Sequence, residues 1–328
     1  MIFNTNVFNF RIKRVSNLLP WTLSLLLSLP IFTLSVFTIP VFAGEKINQS
    51  LSTDNTLKIK ICNDRGSIKV HTWDKLEVLV KGEIDDLADN FIFDKKGDLI
   101  LLEVELTAKH AHGKNNGKGS KLEIWLPQNL DLQFNGIATD LSITGLDGDV
   151  DITSVSGAVN ASSISGELRV KNISGKTVLN DISGKIDISL VSGNLAANVM
   201  SGDIKVKAIS SDISVVTNQI ENVNLFSISG ITKLSGKLDD DGKINLENIS
   251  GESFFYFADS IDAEISIETG PDGEIVNRIK PFERKESHLN SQQQYFVEGA
   301  GNARITMNTV SGKVGLKDIE EMNRRKKR

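Results

Sequence analysis

The side chains able to do chemistry in this chain are dominated by a ladder of Ser-Gly pairs. Glycine recurs every nine residues at Gly148, Gly157, Gly166, Gly175, Gly184, Gly193 and Gly202, and serine precedes six of the seven. A serine needs a neighbouring general base to act as a nucleophile. The four histidines, His71, His110, His112 and His288, all lie outside the ladder, so nucleophilic catalysis is not expected. A polysaccharide-cleaving site needs two carboxylates flanking one bond, and Asp151 and Asp187 occupy outward places in the repeat. Arg169 and Lys205 share those places, which reads as a mixed, solvated face rather than an acidic groove.

Metal sites are weighed the same way. Calcium-binding nonapeptide rolls use a Gly-rich turn with a regular Asp. These turns hold one Gly and no regular Asp, and Lys237 stands where the Asp239-x-Asp241-Gly242 stretch needs its first acid. His110-Ala111-His112 has the alternate spacing of two ligands on one strand face, but Gly113, Asn115, Asn116, Gly117 and Gly119 make it read as a basic loop. Cys62 is the only cysteine, so no intramolecular disulfide exists. It ends the alternating run Leu57 to Ile61 and is expected at the core. No catalytic, cofactor-binding or metal-ligating residue is therefore expected.

The elements that carry these residues follow from the period. Ten nine-residue units run from Asn129 to Asn218. Counted from the residue before each Gly, the fourth, sixth and ninth places are apolar except at Thr177 and Asn218, and the fifth is mostly polar. That is strand alternation with one buried and one wet face. A unit of nine residues cannot close a ring, whereas two units, one strand on each of two sheets, close at eighteen. The expected fold is all-β, a right-handed parallel β-solenoid (β-helix or β-roll) of nine-residue units with about two units per coil. Glycine at each turn is expected to take positive φ. The turn signal recurs at Ser229-Gly230, Ser250-Gly251, Thr269-Gly270 and Ser311-Gly312, so an irregular solenoid is expected over 219–317. Its insertion at 271–301 reads as a polar loop or lateral hairpin. Residues 44–128 hold longer strand-like runs and are expected to cap the regular part, 129–218. Residues 318–328 form a charged tail ending in five basic residues.

Residues 1–43 carry Arg11, Lys13 and Arg14, no acid, and an uncharged stretch from Val15 to Ala43. This reads as a signal peptide cleaved after Val41-Phe42-Ala43, with an uncleaved membrane anchor as the alternative. Removing it leaves 34 basic against 42 acidic residues, a formal −8. Such a product is acidic and exported, to the periplasm, outer envelope or cell surface, and is not built for nucleic acid.

Arg65-Gly66-Ser67-Ile68-Lys69-Val70, Trp73-Asp74, Leu126-Pro127, the Ser-Gly ladder and Thr309-Val310-Ser311-Gly312 together resemble the bacterial putative adhesin family with β-strand repeats, over residues 55 to 318. The resemblance implies an exported, envelope-associated β-helical protein and brings no catalytic residues. The expected function is a non-enzymatic surface or envelope protein whose outward faces bind an envelope protein or glycan. An enzyme on envelope polysaccharide and a structural spacer are the alternatives.

Overall fold

The computed structural model describes residues 44–53, 58–106, 117–258, 260–279 and 291–326. The chain there is almost entirely strand. In order come β1 (Lys46–Ser52), β2 (Lys58–Trp73), β3 (Glu77–Glu83), β4 (Ala88–Lys96), β5 (Leu99–Leu106), β6 (Ser120–Pro127), β7 (Asp131–Leu146) and β8 (Val150–Ser156). There follow β9 (Val159–Ser201), β10 (Asp203–Phe257), β11 (Ala263–Thr269), β12 (Glu274–Asn277), β13 (Gln292–Glu298), β14 (Ala303–Thr309), β15 (Lys313–Asp318) and a short helix, α1 (Ile319–Lys326). All fifteen strands join one sheet. Residues 1–43, read as a signal or anchor, lie outside the described residues, as do His110, His112 and His288.

Stacking in the middle of the chain is parallel, and its register is eighteen residues. Leu132 pairs with Val150, Val150 with Leu168, and Ile186 with Ile204. The alternation of the repeat fits this register, because a one-residue slip would turn the apolar places to water. At the fourth and sixth places Leu132, Phe134, Val150, Ile152, Leu168, Val170, Ile186, Ile188, Ile204 and Val206 are all at most 3% exposed. A straight strand as long as β9, 43 residues, would span about 140 Å. It turns instead at its glycines, and the corners stack like the straight segments.

Gly184 shows what a corner demands. Its φ is +107, and a Cβ there would stand 2.3 Å from the carbonyl oxygen of Gly166 one coil below. Gly251, Gly270 and Gly312 depart from the expected rule, and so does Gly148, which is not among the glycines with positive φ either. Its constraint is proximity alone, a Cβ falling 2.4 Å from the Leu130 oxygen.

Thr177, one of two breaks in the pattern, is fully buried. Its hydroxyl accepts a hydrogen bond from Asn172 Nδ2 at 3.3 Å. Asn248 and Ser253 repeat this five-residue arrangement at 2.8 Å.

The ends are not wound in chain order. β2 lies between β7 on one side and β5 and β6 on the other, all parallel to it. At the far end β14 and β15 lie between β10 and the pair β11, β12. At one end β2 is therefore enclosed by strands later in the chain, and at the other β14 and β15 are enclosed by earlier ones. Antiparallel strands finish the stack, β4 on β5 and β3 then β1 on β6 at one end, β13 on β11 at the other. Such finishing strands protect sheet edges from further pairing. The segment 271–301 thus contains a coil strand, β12, and the edge strand β13.

Candidate interaction surface

The sequence-selected residues that the structure describes lie on or between the parallel strands. His71 stands in a ladder between Trp125 and Thr144, its ring 5.7 Å from that of Trp125. Ser162 follows Thr144 in this ladder and donates to its hydroxyl at 3.2 Å. Two steps of about 4.8 Å separate His71 from that serine, beyond the reach of a general base. Cys62 is half-buried, and burial pushes its thiol above the ordinary value although Asn135 Nδ2 donates to the sulfur at 3.8 Å. A raised thiol is a poor nucleophile at neutral pH.

The two carboxylates of the repeat are separated by a cation. Asp151 stacks on Arg169, and Asp187 on Lys205, with Nζ 3.9 Å from the carboxylate. Arg169 also pairs with Glu167, which takes Lys185 at 3.0 Å. Asp239 accepts a hydrogen bond from Gln219 Nε2 at 2.6 Å. Turn acids serve stacking as well: Asp131, Asp140 and Asp149 each accept the backbone N–H of the residue eighteen positions on, at 2.7 to 3.0 Å. The serines of the Ser-Gly pairs do similar work, Ser229, Ser250 and Ser311 donating to the carbonyls of Ile209, Ile228 and Ile249. Among the described residues no three His, Cys, Asp or Glu side chains cluster for a metal.

The surface that stands out comes from the ninth place. At one corner of the coil Gly145, Ser163 and Asp181 take positive φ, and this turns the next residue inward, so that Leu146, Ile164 and Ile182 are buried. At the other corner Ser154, Asn172, Leu190 and Ala208 point inward instead. The ninth residue there is left outside. Ile137, Val155, Ile173, Val191, Ile209, Ile228, Ile249 and Val310 are between 37% and 58% exposed. They form a single column, since pairing places each above the last.

Eight β-branched or aliphatic side chains in one file, about 34 Å long at 4.8 Å per coil, form a contiguous apolar patch of the kind that marks an interaction site. Beside the file runs a groove of about 480 Å³. Its far wall is Thr153, Lys171, Ser189, Lys207 and Phe226, and its floor includes Leu190 and Ala208. Sequence reading missed this stripe because both corners carry the same Ile, Val and Leu at the ninth place. What separates them is the backbone angle at the eighth place, positive at Gly145, Ser163 and Asp181 but not at Gly136, Ser154 or Asn172, and residue type does not announce it, since both corners offer Gly, Ser and Asn or Asp there.

No family model and no curated protein sequence matches the chain. Among solved structures, a "putative lipid binding protein" from Parabacteroides distasonis ATCC 8503 is similar over 83% of this chain and 97% of its own, at 9% identity and a TM-score of 0.42. A "putative cell adhesion protein" from Clostridium sporogenes ATCC 15579 is similar over 84% of this chain and 100% of its own, at 12% identity and a TM-score of 0.22. Those words belong to the two proteins and bring no function to this one. No family model supports the resemblance to the putative adhesin family; of the residues that carry it, Arg65 and Gly66 lie at a turn within β2 and Ser311-Gly312 directly before β15.

Proposed function

We propose that this chain is a non-enzymatic, exported envelope or surface protein, an adhesin-like right-handed parallel β-solenoid with two nine-residue units per coil, whose exterior binds a macromolecular partner. The observation that carries the reading is the exposed file from Ile137 to Val310. A soluble chain that buries Leu146, Ile164 and Ile182 at one corner while leaving Val155, Ile173 and Val191 in water at the other retains apolar surface for contact. Export rests on Arg11, Lys13 and Arg14 before the uncharged run to Ala43.

Fractionation of cells expressing the full chain, followed by crosslinking, tests both parts. The chain is expected in the envelope fraction. Its crosslinked partner is expected to disappear with Ile173→Asp or Ile209→Asp and to persist with Asp187→Asn. Binding that ignores the stripe overturns the reading, as does glycan cleavage abolished by one carboxylate change.

A further inference from the structure

The groove wall beside the stripe carries charges in a definite order. In stacking sequence this outward column reads Asn135, Thr153, Lys171, Ser189, Lys207, Phe226, Glu247, Asn308 and Glu268. Among the described residues no ion pair engages Lys171, Lys207, Glu247 or Glu268, whereas the next outward column satisfies Arg169 with Glu167 and Lys205 with Asp187. The column is antisymmetric about Phe226. Lys207 and Glu247 flank it at one coil's distance and Lys171 and Glu268 at three, bases on one side and acids on the other.

A twofold axis through Phe226, perpendicular to the stack, lays a second copy face to face and antiparallel. Lys207 then meets Glu247 of the second copy and Lys171 meets its Glu268, while Phe226 meets its own counterpart. The same axis sets Ile228 on Ile228, Ile209 on Ile249 and Val191 on Val310. The neighbouring column brings no like charges together, placing Lys205 opposite Asn245, Asp187 opposite Thr306 and Arg169 opposite Ser266. A parallel copy would instead set Lys207 against Lys207 and Glu247 against Glu247. Complementary rim charges choose orientation in this way, and an isologous contact needs one self-complementary patch.

We propose that the stripe and its charged column form the interface of an antiparallel homodimer of this chain, centred on Phe226 and Ile228. The inference rests on the reading of the stripe as the interaction surface and names its occupant. Six coil steps from Lys171 to Glu268 span about 29 Å. With a width of roughly 15–20 Å the contact covers about 500 Å² per copy, which is small for a stable complex and gives a reversible dimer. Antiparallel pairing puts the β1 ends of the two copies at opposite ends of the pair, the geometry for joining two facing surfaces.

The test uses the full chain in detergent solution with Cys62→Ser. Adding Ile228→Cys, on the axis, is expected to give a disulfide-linked dimer under mild oxidation, and Ile137→Cys, beyond the overlap, is expected to stay monomeric. In sedimentation, Lys207→Glu or Glu247→Lys alone is expected to weaken dimerisation at least tenfold, and the double swap to restore it to within about threefold. Circular dichroism confirms folding of each variant. Equal crosslinking at positions 228 and 137, or a folded double swap that stays monomeric, overturns the dimer. If the groove holds an acyl chain or another ligand instead, Lys207→Glu abolishes that binding, Glu247→Lys does not restore it and position 228 does not crosslink. That result also overturns the dimer, yet leaves the stripe as the interaction surface; loss of neither partner nor ligand with Ile209→Asp overturns both readings.

Discussion

Arg65 grips Asp85 through two donors on one edge of its guanidinium, Nε to Oδ2 and Nη2 to Oδ1, the second at 2.7 Å. Arg65 sits at a corner of β2, and Asp85, 1% exposed, in the turn after β3. The pair ties the antiparallel cap to the first parallel coil. Asp85 also accepts the Leu87 N–H at 2.9 Å, and its own N–H donates to Ser120 Oγ at 3.2 Å.

Removing one partner of a buried pair strands the other charge. Asp85→Ala is expected to destabilise the chain by about 3 kcal/mol in chemical denaturation, and Arg65→Lys to lose most of this too, since lysine cannot form the fork.

The pair also sets an acid limit. Burial pushes the Asp85 carboxyl upward, but the Arg65 guanidinium, the Leu87 N–H and Asp86 outweigh it and hold the group below the usual value of 3.8. A depressed carboxylate stabilises the fold above its unfolded pKa, and that contribution is lost as pH falls through the folded one. Melting temperature is therefore expected to drop below about pH 3.8, and Asp85→Asn is expected to flatten this part of the profile.

Two glycines with positive φ separate conformational strain from close approach. Gly97 has φ +64 and open space around its Cβ position, while Gly184 has φ +107 and the Gly166 oxygen 2.3 Å away. Gly97→Ala is expected to cost about 1 kcal/mol, the left-handed penalty alone. Gly184→Ala must also push two coils apart and is expected to exceed about 3 kcal/mol, whereas outward Asp187→Asn stays within about 0.5 kcal/mol. Equal thermal melts for the two alanine variants would remove the close-packed corner from the account.

The two corners make opposite predictions for the same residue type. Ile164 is 1% exposed and Ile173 49%. Ile164→Ala is expected to cost about 2–5 kcal/mol, and Ile173→Ala to stay within about 0.5 kcal/mol. Asp181, at φ +54, strains the inward corner, so Asp181→Gly is expected to stabilise by up to about 1 kcal/mol.

This contrast shows where the fold is legible in sequence. Strand alternation is a local property, and the repeat of Leu168 and Val170 over Val150 and Ile152 follows from hydropathy alone. The corner is decided by one backbone angle, and hydropathy does not distinguish Ile164 from Ile173 although one is core and the other is the candidate surface. The order of coils at the ends was hidden for a different reason. Ile305 and Met307 carry the same pattern as every other coil, and a pattern shared by all coils cannot say which two neighbours a given coil will have. The charges of the groove wall were legible as residues but not as a column, because the steps from Lys207 to Phe226 and from Phe226 to Glu247 are 19 and 21 residues rather than 18.

The wedged closing coil yields the last prediction. Ile305 and Met307 of β14 are fully buried, between Ile244 and Leu246 of β10 on one side and Ile265 and Ile267 of β11 on the other. In the sheet β11 therefore pairs with the main stack through β14, and β13 pairs on β11, with a side-chain bond from Asn277 of β12 to Gln294 of β13 at 3.0 Å besides. Met307→Asp places a charge in that core and is expected to release β11, β13 and β14 together, a local opening rather than global unfolding. In hydrogen exchange, protection is expected to fall across 263–269, 292–298 and 303–309 and to persist across 132–215. Loss confined to 303–309 would mean that β11 is held by something other than the chain's own closing strand.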